Sequence, residues 1–151
     1  MGDVDELNSQ LGVLLAQKLP KPLRATLTRV QHELFNLGGE LSMPGSALVQ
    51  EQHLLALERE IEALNAKLPP LKDFVLPGGN AAAAAAHLAR AICRRAERSV
   101  WAVNETESPF SARYLNRLSD FLFVAARVLA GRKREVLWKG TRQIGSPPTR
   151  G

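Results

Sequence analysis

The chain has 151 residues, of which 45% are hydrophobic and only 5% aromatic, which predicts one domain with a core of Leu, Ala and Val and favours helices. No apolar run reaches the roughly 18 residues needed to cross a bilayer, so a membrane protein is not expected. The single cysteine, Cys93, excludes an internal disulfide framework and a cysteine-rich metal site and fits a reducing, cytoplasmic location.

Two amphipathic helices open the chain. The first is predicted over residues 3–18, where Leu and Val recur every three or four positions, and it stops at Pro20 and Pro22. The second is predicted from Pro22 to about Leu41, with Gly38 and Gly39 weakening its end. Both patterns indicate helices with one buried side.

Three more helices follow. The third is predicted near residues 46–68, because Pro69 and Pro70 end the helical pattern. The fourth begins after the Pro77-Gly78-Gly79 turn with Asn80 as its N-cap and runs to about residue 104. The fifth starts at Pro109, as a first-turn proline, and continues to about Leu137. Short connections between long amphipathic helices predict an all-α, antiparallel five-helix bundle.

The fourth helix carries a stripe of charge. His87, Arg90, Arg94, Glu97 and Arg98 recur at spacings of three and four, so they share one side of the helix. One interpretation is a solvated face whose arginine stems cover apolar surface. The other is an anion site, because most of the remaining circumference is apolar and arginines on an inner helix need partners.

The fifth helix has a second polar face, formed by Asn116, Asp120, Phe123 and Arg127 at spacings of four, three and four. These side chains are candidates for ligand binding. The alternatives are a hydrogen bond from Asn116 to another helix and a salt bridge from Asp120 to an arginine of the fourth helix. Residue types and spacing leave both alternatives open.

The charge excess lies at the end of the chain. Residues 131–151 contain six basic residues and one acid, a net of +5, so the first 130 residues balance at fourteen of each sign. A basic segment with Pro and Gly is typical of a disordered end, and we expect a bundle over residues 1–138 followed by a disordered basic tail over 139–151. A nucleic-acid binder is disfavoured because no aromatic residues or reader motif accompany the charge.

Several motifs in order resemble those of the PduO-type ATP:corrinoid adenosyltransferases. They are FVLPGG at 74–79, HLAR and CRRAER at 87–98, YLNRLSDFLF at 114–123 and DVDELNS at 3–9, and LFNLGGEL at 34–41 also fits. The spacing between them is that of whole helices, and the resemblance extends to about Trp138. It identifies the chain as similar to that family over nearly its whole length.

The resemblance implies a fold and an activity. The fold is a ferritin-like, cobalamin adenosyltransferase-like five-helix bundle that assembles as a homotrimer with sites between subunits. The reaction transfers the 5′-deoxyadenosyl group of ATP to reduced cob(I)alamin and releases triphosphate. ATP, Mg²⁺ and cobalamin are therefore the expected ligands, and a reductase and an adenosylcobalamin-dependent enzyme are expected partners.

The resemblance also implies roles for individual residues. The segment Arg94, Arg95, Ala96, Glu97 and Arg98 lines ATP, together with Asn116 on the fifth helix. Asp5 pairs with Arg90 across a subunit boundary, and Phe74 and Phe123 stand on the corrinoid side, where apolar bulk excludes water and a lower axial ligand from cobalt. Arg90, Arg94, Phe74 and Asp5 are the expected catalytic set. No general base and no metal held by the protein alone are expected, because cobalt is itself the nucleophile.

One departure from the family pattern concerns the start of the chain. Members of the family carry a Thr/Gly-rich phosphate loop with a lysine before the DELNS motif, whereas here only Met1, Gly2, Asp3 and Val4 precede that motif. Backbone N–H groups of such a loop bind phosphate, so the expectation is that fold and trimer persist while ATP affinity is weak. The alternative is a non-catalytic helical bundle that only assembles with itself or a partner, or an inactive truncated form.

Overall fold

The computed structural model describes residues 2–43, 45, 48–103 and 110–140, and within these ranges the chain forms five α-helices and no named strand. The helices are α1 (Gly2–Leu15), α2 (Lys21–Ser42), α3 (Glu51–Asn65), α4 (Ala81–Val103) and α5 (Ser111–Arg134). The predicted all-α architecture with five helices is confirmed. Within the same ranges, no helix has the length and apolar character needed to span a bilayer.

The helices α1 and α2 pack as antiparallel neighbours. Asn8 donates a hydrogen bond to the carbonyl of Gln31 at 3.1 Å, and Gln31 donates to the carbonyl of Asn8 at 3.2 Å. Near the connection, Arg24 donates to the carbonyl of Gln17 at 2.8 Å. Positions later in α1 thus meet positions earlier in α2, as the bundle prediction requires.

The inner helix is α4, which packs against α1 on one side and α5 on the other. Gln10 of α1 donates to the carbonyl of Ala85 at 3.1 Å, next to a run of small alanine side chains that allow close approach. On the other side, the thiol of Cys93 donates to the carbonyl of Leu115 at 3.1 Å. Cys93 is fully buried and packs as a small core side chain.

The start of α4 is fixed by its N-cap. The side-chain oxygen of Asn80 accepts a hydrogen bond from the backbone N–H of Ala83 at 2.8 Å, as predicted. The side-chain amide of Asn80 also donates to the carbonyl of Leu129 on α5 at 2.9 Å. One residue therefore starts α4 and ties that start to the far end of α5.

The end of α5 differs from the prediction. The helix ends at Arg134 rather than near Leu137, because Gly131 has a positive φ of 71° and kinks the backbone. Beyond the kink, Leu137 forms an antiparallel bridge with Val75 instead of continuing the helix. The chain thereby returns to the segment that precedes α4.

The start of α3 also differs from the prediction. Helix α3 begins at Glu51 rather than near Ser46, because the buried carboxylate of Glu40 accepts the backbone N–H groups of Leu48 and Val49 at 2.7 and 2.9 Å. These two N–H groups are therefore engaged before the helix starts. At the other end of the bundle, α1 stops at Leu15, before the predicted limit at residue 18.

Two predicted features fall outside the part of the chain that the structure describes. One is the connection over residues 104–109 with its first-turn proline, Pro109. The other is the basic tail beyond Gly140. The described part of α5 begins at Ser111, after Phe110.

Replacing Gly79 by Ala should destabilise the fold more than replacing Gly131 by Ala. A Cβ at Gly79 would lie 3.0 Å from the Cβ of Ala130 and 3.1 Å from the carbonyl oxygen of Arg134, at a φ of +105°. Gly131 has a positive φ but open space around it, so only backbone strain is added there. We expect losses of about 1–3 kcal/mol for Gly79→Ala and about 1 kcal/mol for Gly131→Ala in urea unfolding. Equal losses would show that the close approach of Gly79 to α5 contributes nothing.

Candidate functional site

A cleft of about 680 Å³ lies where the end of α3 and the following loop meet α4 and α5. Its charged lining residues are Arg90, Arg94, Asp120 and Arg127. Its apolar wall includes Phe123 and Val124 from α5 and the leucines and prolines of residues 68–71. Cations and apolar surface thus face the same space.

Two arginines of α4 lie one turn apart on this cleft. Arg90 is half-buried, and its Nε atom is buried without a hydrogen bond to any residue in the described ranges. Burial lowers the pKa of Arg90 below its usual value, and the neighbouring charge of Arg94 lowers it further. A guanidinium nevertheless stays protonated in proteins, so two cations face the cleft together.

No carboxylate in the described ranges forms an ion pair with either of these arginines. The side chain of Asp120 lies in the cleft but is exposed, and its salt bridge runs to Arg117 of its own helix at 3.8 Å. The alternative of a salt bridge between Asp120 and an arginine of the fourth helix is therefore wrong. Unpaired guanidinium groups beside an apolar wall are suited to binding a multivalent anion.

The ring of His87 packs against the ring of Phe123, which lines the cleft. The two rings meet edge to face, with centroids 6.2 Å apart. His87 is only 3% exposed, and its Nδ1 atom has no hydrogen-bond partner in the described ranges. Burial lowers the pKa of His87 below its usual value, the charge of Arg90 adds to this effect, and Glu135 opposes it. The neutral imidazole is therefore favoured beside the phenyl ring.

One lining residue of the cleft, Arg127, forms a buried ion pair. Arg127, which is 5% exposed, donates from Nε and Nη2 to the two carboxylate oxygens of Glu135 at 2.8 and 3.1 Å. The same Nη2 donates to the carbonyl of Pro69 at 3.1 Å. Sequence reasoning counted Glu135 only within the charge of the tail. The feature of the sequence that could have indicated a paired carboxylate is that Glu135 is the one acid among six basic residues over 131–151.

The residues expected to line ATP do not all lie in this cleft. Asn116 donates to Glu97 at 3.3 Å across the α4–α5 interface, which confirms the alternative of an interhelix hydrogen bond. Its oxygen accepts from Arg117 at 2.7 Å. Glu97 and Asn116 line a separate pocket of about 250 Å³ together with Trp101, whereas Arg94 lines the cleft.

Arg95 points to another side of the bundle. It forms ion pairs with Asp3 at 3.4 Å and with Glu6, both on α1. The pKa of Asp3 is lowered, mainly by a hydrogen bond from Ser99 and also by Arg95. Ala96 is fully buried, and Arg98 is exposed. The predicted segment therefore spreads around α4 instead of presenting one face.

Asp5 is exposed on α1, in a groove of about 370 Å³ between α1 and α2. Phe35 lines the same groove and is 77% exposed, the highest value among the exposed large hydrophobic side chains of the described residues. Within one chain, Asp5 and Arg90 lie on different surfaces and form no salt bridge.

The two phenylalanines expected on the corrinoid side are placed differently. Phe123 lines the cleft, whereas Phe74 is 74% exposed and is not among the lining residues. The ring of Phe74 instead lies against Trp138, with centroids 5.9 Å apart. Sequence reasoning did not single out Trp138, whose partner is distant along the chain.

Two further features bear on the chemistry that the described residues can support. The thiol of Cys93 is buried, and burial raises its pKa well above the usual value. In the part of the chain that the structure describes, no three His, Cys, Asp or Glu side chains are grouped so as to hold a metal ion. What the cleft offers is positive charge and an apolar wall.

Comparison with known proteins identifies relatives over most of the chain. A family model described as cobalamin adenosyltransferase matches residues 1–129. A cobalamin adenosyltransferase of Cupriavidus metallidurans is 49% identical over 148 residues, covering 95% of this chain and 80% of that protein. A corrinoid adenosyltransferase of Bacillus subtilis is 44% identical over 140 residues, covering 87% of this chain and 72% of the relative.

Solved structures agree with these matches. A PduO-type ATP:co(I)rrinoid adenosyltransferase variant from Lactobacillus reuteri, complexed with ATP, superposes with a TM-score of 0.84 at 35% identity, covering 91% of this chain and 84% of that one. A second variant of the Lactobacillus reuteri enzyme, complexed with cobalamin and ATP, gives a TM-score of 0.83 at 33% identity, covering 91% and 81%.

Replacing His87 by Gln should make the protein less sensitive to acid. The folded state holds the pKa of His87 below the usual 6.5, so the unfolded chain takes up a proton first as the pH falls. The neutral imidazole's contribution to the stability of the folded state is fully present at pH values above the pKa of His87 in the unfolded chain. This contribution is lost as the pH falls toward the pKa of His87 in the folded protein. Between about pH 7.5 and about pH 5, the thermal midpoint of the wild type should fall further than that of His87→Gln.

The control for this measurement is Leu88→Gln, which introduces the same side chain at the next, exposed position and removes no titratable group. Its thermal midpoint should show the wild-type difference between the two pH values. If His87→Gln and the wild type lose stability equally on acidification, the imidazole is not held neutral by its surroundings.

Proposed function

Because the chain belongs to the cobalamin adenosyltransferase family, we infer that it is an ATP:cob(I)alamin adenosyltransferase, which transfers the 5′-deoxyadenosyl group of ATP to reduced cobalamin. The products are adenosylcobalamin and triphosphate. The observation that carries this conclusion for the site is the pair of guanidinium groups, Arg90 and Arg94, that face one cleft without an ion-pair partner in the described ranges.

The chemistry needs positioning and charge more than proton transfer. The electron pair of reduced cobalt forms the bond to C5′ of ATP, and the C5′–O bond breaks with its electrons leaving on triphosphate. Cations beside the polyphosphate stabilise the charge that develops on this leaving group. An apolar wall excludes water, which protects a strongly reducing metal and strengthens every ionic interaction in the cleft. The cleft provides both features.

We assign the nucleotide side to Arg94, Glu97, Arg98 and Asn116. Arg94 reaches the polyphosphate from the cleft, while Glu97 and Asn116 offer hydrogen-bonding groups in the separate pocket that they line. Mg²⁺ accompanies ATP and shares its phosphate oxygens. Arg95 and Ala96 belong to the same sequence segment, and Arg95 keeps its ion pairs to α1 as it supports that segment.

We assign the corrinoid side to Phe123 and Phe74. Phe123 presents an apolar ring inside the cleft, next to the arginines, so the corrin and the polyphosphate approach the same place from different sides. Phe74 adds a largely exposed ring on the loop before α4. Exposure of such a ring to water is unfavourable in free energy, so its burial against an apolar ligand is favoured.

We propose that the enzyme works as a homotrimer with a site at each boundary between subunits. In support, Asp5 and the exposed ring of Phe35 line a groove on α1 and α2 that no part of the described chain covers. Arg90 offers a buried donor that lacks an acceptor. A salt bridge from Asp5 of one subunit to Arg90 of the next would satisfy both groups and complete the cleft.

The remaining assignments follow from the activity. Cob(I)alamin forms only under strong reduction, so we propose a cytoplasmic location, a reductase that supplies the electron and an adenosylcobalamin-dependent enzyme that takes the product. The functional unit is the bundle over residues 1–138. We place the basic segment over residues 139–151 outside this unit.

The activity is tested by mixing the protein with chemically reduced cobalamin and MgATP and following the visible spectrum. We expect the spectrum of cob(I)alamin to be replaced by that of adenosylcobalamin, with one triphosphate released for each turnover. A chain that assembles normally yet leaves the spectrum unchanged would support the rival function, a non-catalytic helical bundle.

Replacing Arg94 by Ala should lower turnover and MgATP affinity together. A charged hydrogen bond to phosphate contributes about 1.5–3 kcal/mol, so kcat/KM for ATP should fall about 10- to 100-fold. Isothermal titration with MgATP gives the affinity directly. The control is Arg59→Ala, which removes an equally charged but exposed side chain on α3 and should leave kcat/KM unchanged. An unchanged ATP affinity in Arg94→Ala would contradict the assignment.

The pair between subunits makes a sharper prediction. Asp5→Ala and Arg90→Ala should each lose most of the activity, because each leaves the partner group unpaired at the boundary. When the two variant chains are unfolded and refolded together, mixed trimers contain boundaries where an intact Asp5 meets an intact Arg90. Activity should therefore return on mixing. If the mixture is no more active than its components, the pair does not cross the boundary.

A further inference from the structure

The loop before α4 is held to the end of α5 by main-chain hydrogen bonds. The backbone N–H of Leu76 donates to the carbonyl of Val136 at 2.8 Å, and the N–H of Trp138 donates to the carbonyl of Phe74 at 2.7 Å. Both bonds flank the bridge between Val75 and Leu137. Residues 74–76 and 136–138 therefore form a short antiparallel ladder.

This ladder is connected through Glu135 to Arg127, which lines the cleft. Glu135, the residue before the ladder, forms the buried ion pair with Arg127. Arg127 also holds the carbonyl of Pro69, at the other end of the loop that carries Phe74. The loop is thus fixed at two points, at Pro69 by Arg127 and at residues 74–76 by residues 136–138. Removing one partner of a buried ion pair is strongly destabilising, so loss of Glu135 should weaken the attachment of residues 136–138.

The ladder brings the aromatic rings of Phe74 and Trp138 together. Phe74 is 74% exposed, and a ring so exposed has many orientations open to it unless a neighbour restricts them. The partly buried ring of Trp138 lies 5.9 Å away at an interplanar angle of 55°, within the range in which aromatic pairs attract. Trp138 therefore limits where the ring of Phe74 can lie.

We propose that residues 135–138 are a positioning element for the corrinoid side of the site, in which Trp138 supports the ring of Phe74 and Glu135 anchors the element through Arg127. This inference rests on the proposed function, because it takes Phe74 to face the corrinoid. Trp138 itself touches Phe74 and acts on the substrate through it. Neither Glu135 nor Trp138 belongs to the set of residues assigned above to ATP or cobalamin.

The experiment compares Trp138→Leu with Trp138→Phe. Loss of the aromatic pair should weaken binding of cob(II)alamin to the MgATP-loaded trimer about two- to tenfold, as expected for an aromatic contact of ordinary strength, and raise KM for cob(I)alamin to a similar extent. KM for MgATP should stay within about twofold of the wild type. Trp138→Phe should restore most of the corrinoid affinity, because it restores an aromatic partner for Phe74.

Two controls separate positioning from folding. Lys139→Ala changes the next, exposed side chain and should leave both KM values unchanged. Thermal midpoints show whether each variant is folded at the assay temperature.

A further variant, Glu135→Gln, tests the anchor. It keeps the side-chain shape and should raise KM for cob(I)alamin, as Trp138→Leu should.

The possible outcomes are distinct. A wild-type chain that makes adenosylcobalamin while Trp138→Leu retains full corrinoid affinity overturns this inference and leaves the proposed function standing. The inference is also overturned if KM for MgATP rises as much as KM for cob(I)alamin, or if Trp138→Phe is as impaired as Trp138→Leu. A wild-type chain that forms no adenosylcobalamin overturns the proposed function and this inference with it.

Discussion

The structure depends on the position of α4 between α1 and α5. Small buried side chains, chiefly alanine and Cys93, let both neighbours approach this helix closely. The side of α4 that neither neighbour covers carries Arg90 and Arg94, and it opens into the cleft. An inner helix cannot hold unpaired cations within an apolar core, so these arginines must meet solvent, an anion or another chain. The packing of the helix thus determines where these two cations are presented.

The sequence predicted the helices well because their signals are local. Periodic leucines, the prolines between helices and the N-cap at Asn80 are all visible within one or two turns of chain. The predicted helix boundaries are wrong where a residue distant along the chain determines the end of the helix. Glu40 engages the N–H groups of Leu48 and Val49 and delays the start of α3, and Val75 pairs with Leu137 and stops α5 early. No local pattern reports either contact.

The candidate site was predicted only in part for the same reason. Spacing placed Arg90 and Arg94 on one side of α4, and Phe123 near Asp120 and Arg127 on α5, and these residues do share a cleft. Spacing could not show that Asn116 turns to Glu97 in a separate pocket, since that depends on how α4 and α5 are rotated against each other. The roles taken from the resemblance remain assignments that experiments must test.

Arg127 connects the two sides of the proposed site. Its guanidinium lines the cleft where the polyphosphate would bind, yet its hydrogen bonds go to Pro69 and Glu135, which fix the loop carrying Phe74. Because these partners already occupy much of its donor capacity and balance its charge, Arg127 is less available to an anion than Arg90 or Arg94. The three arginines of the cleft therefore divide into two without an ion-pair partner in the described ranges, Arg90 and Arg94, and one, Arg127, that is neutralised by Glu135 and holds the loop carrying Phe74. This division explains how one small bundle can present charge and apolar surface to the same space without either disrupting the other.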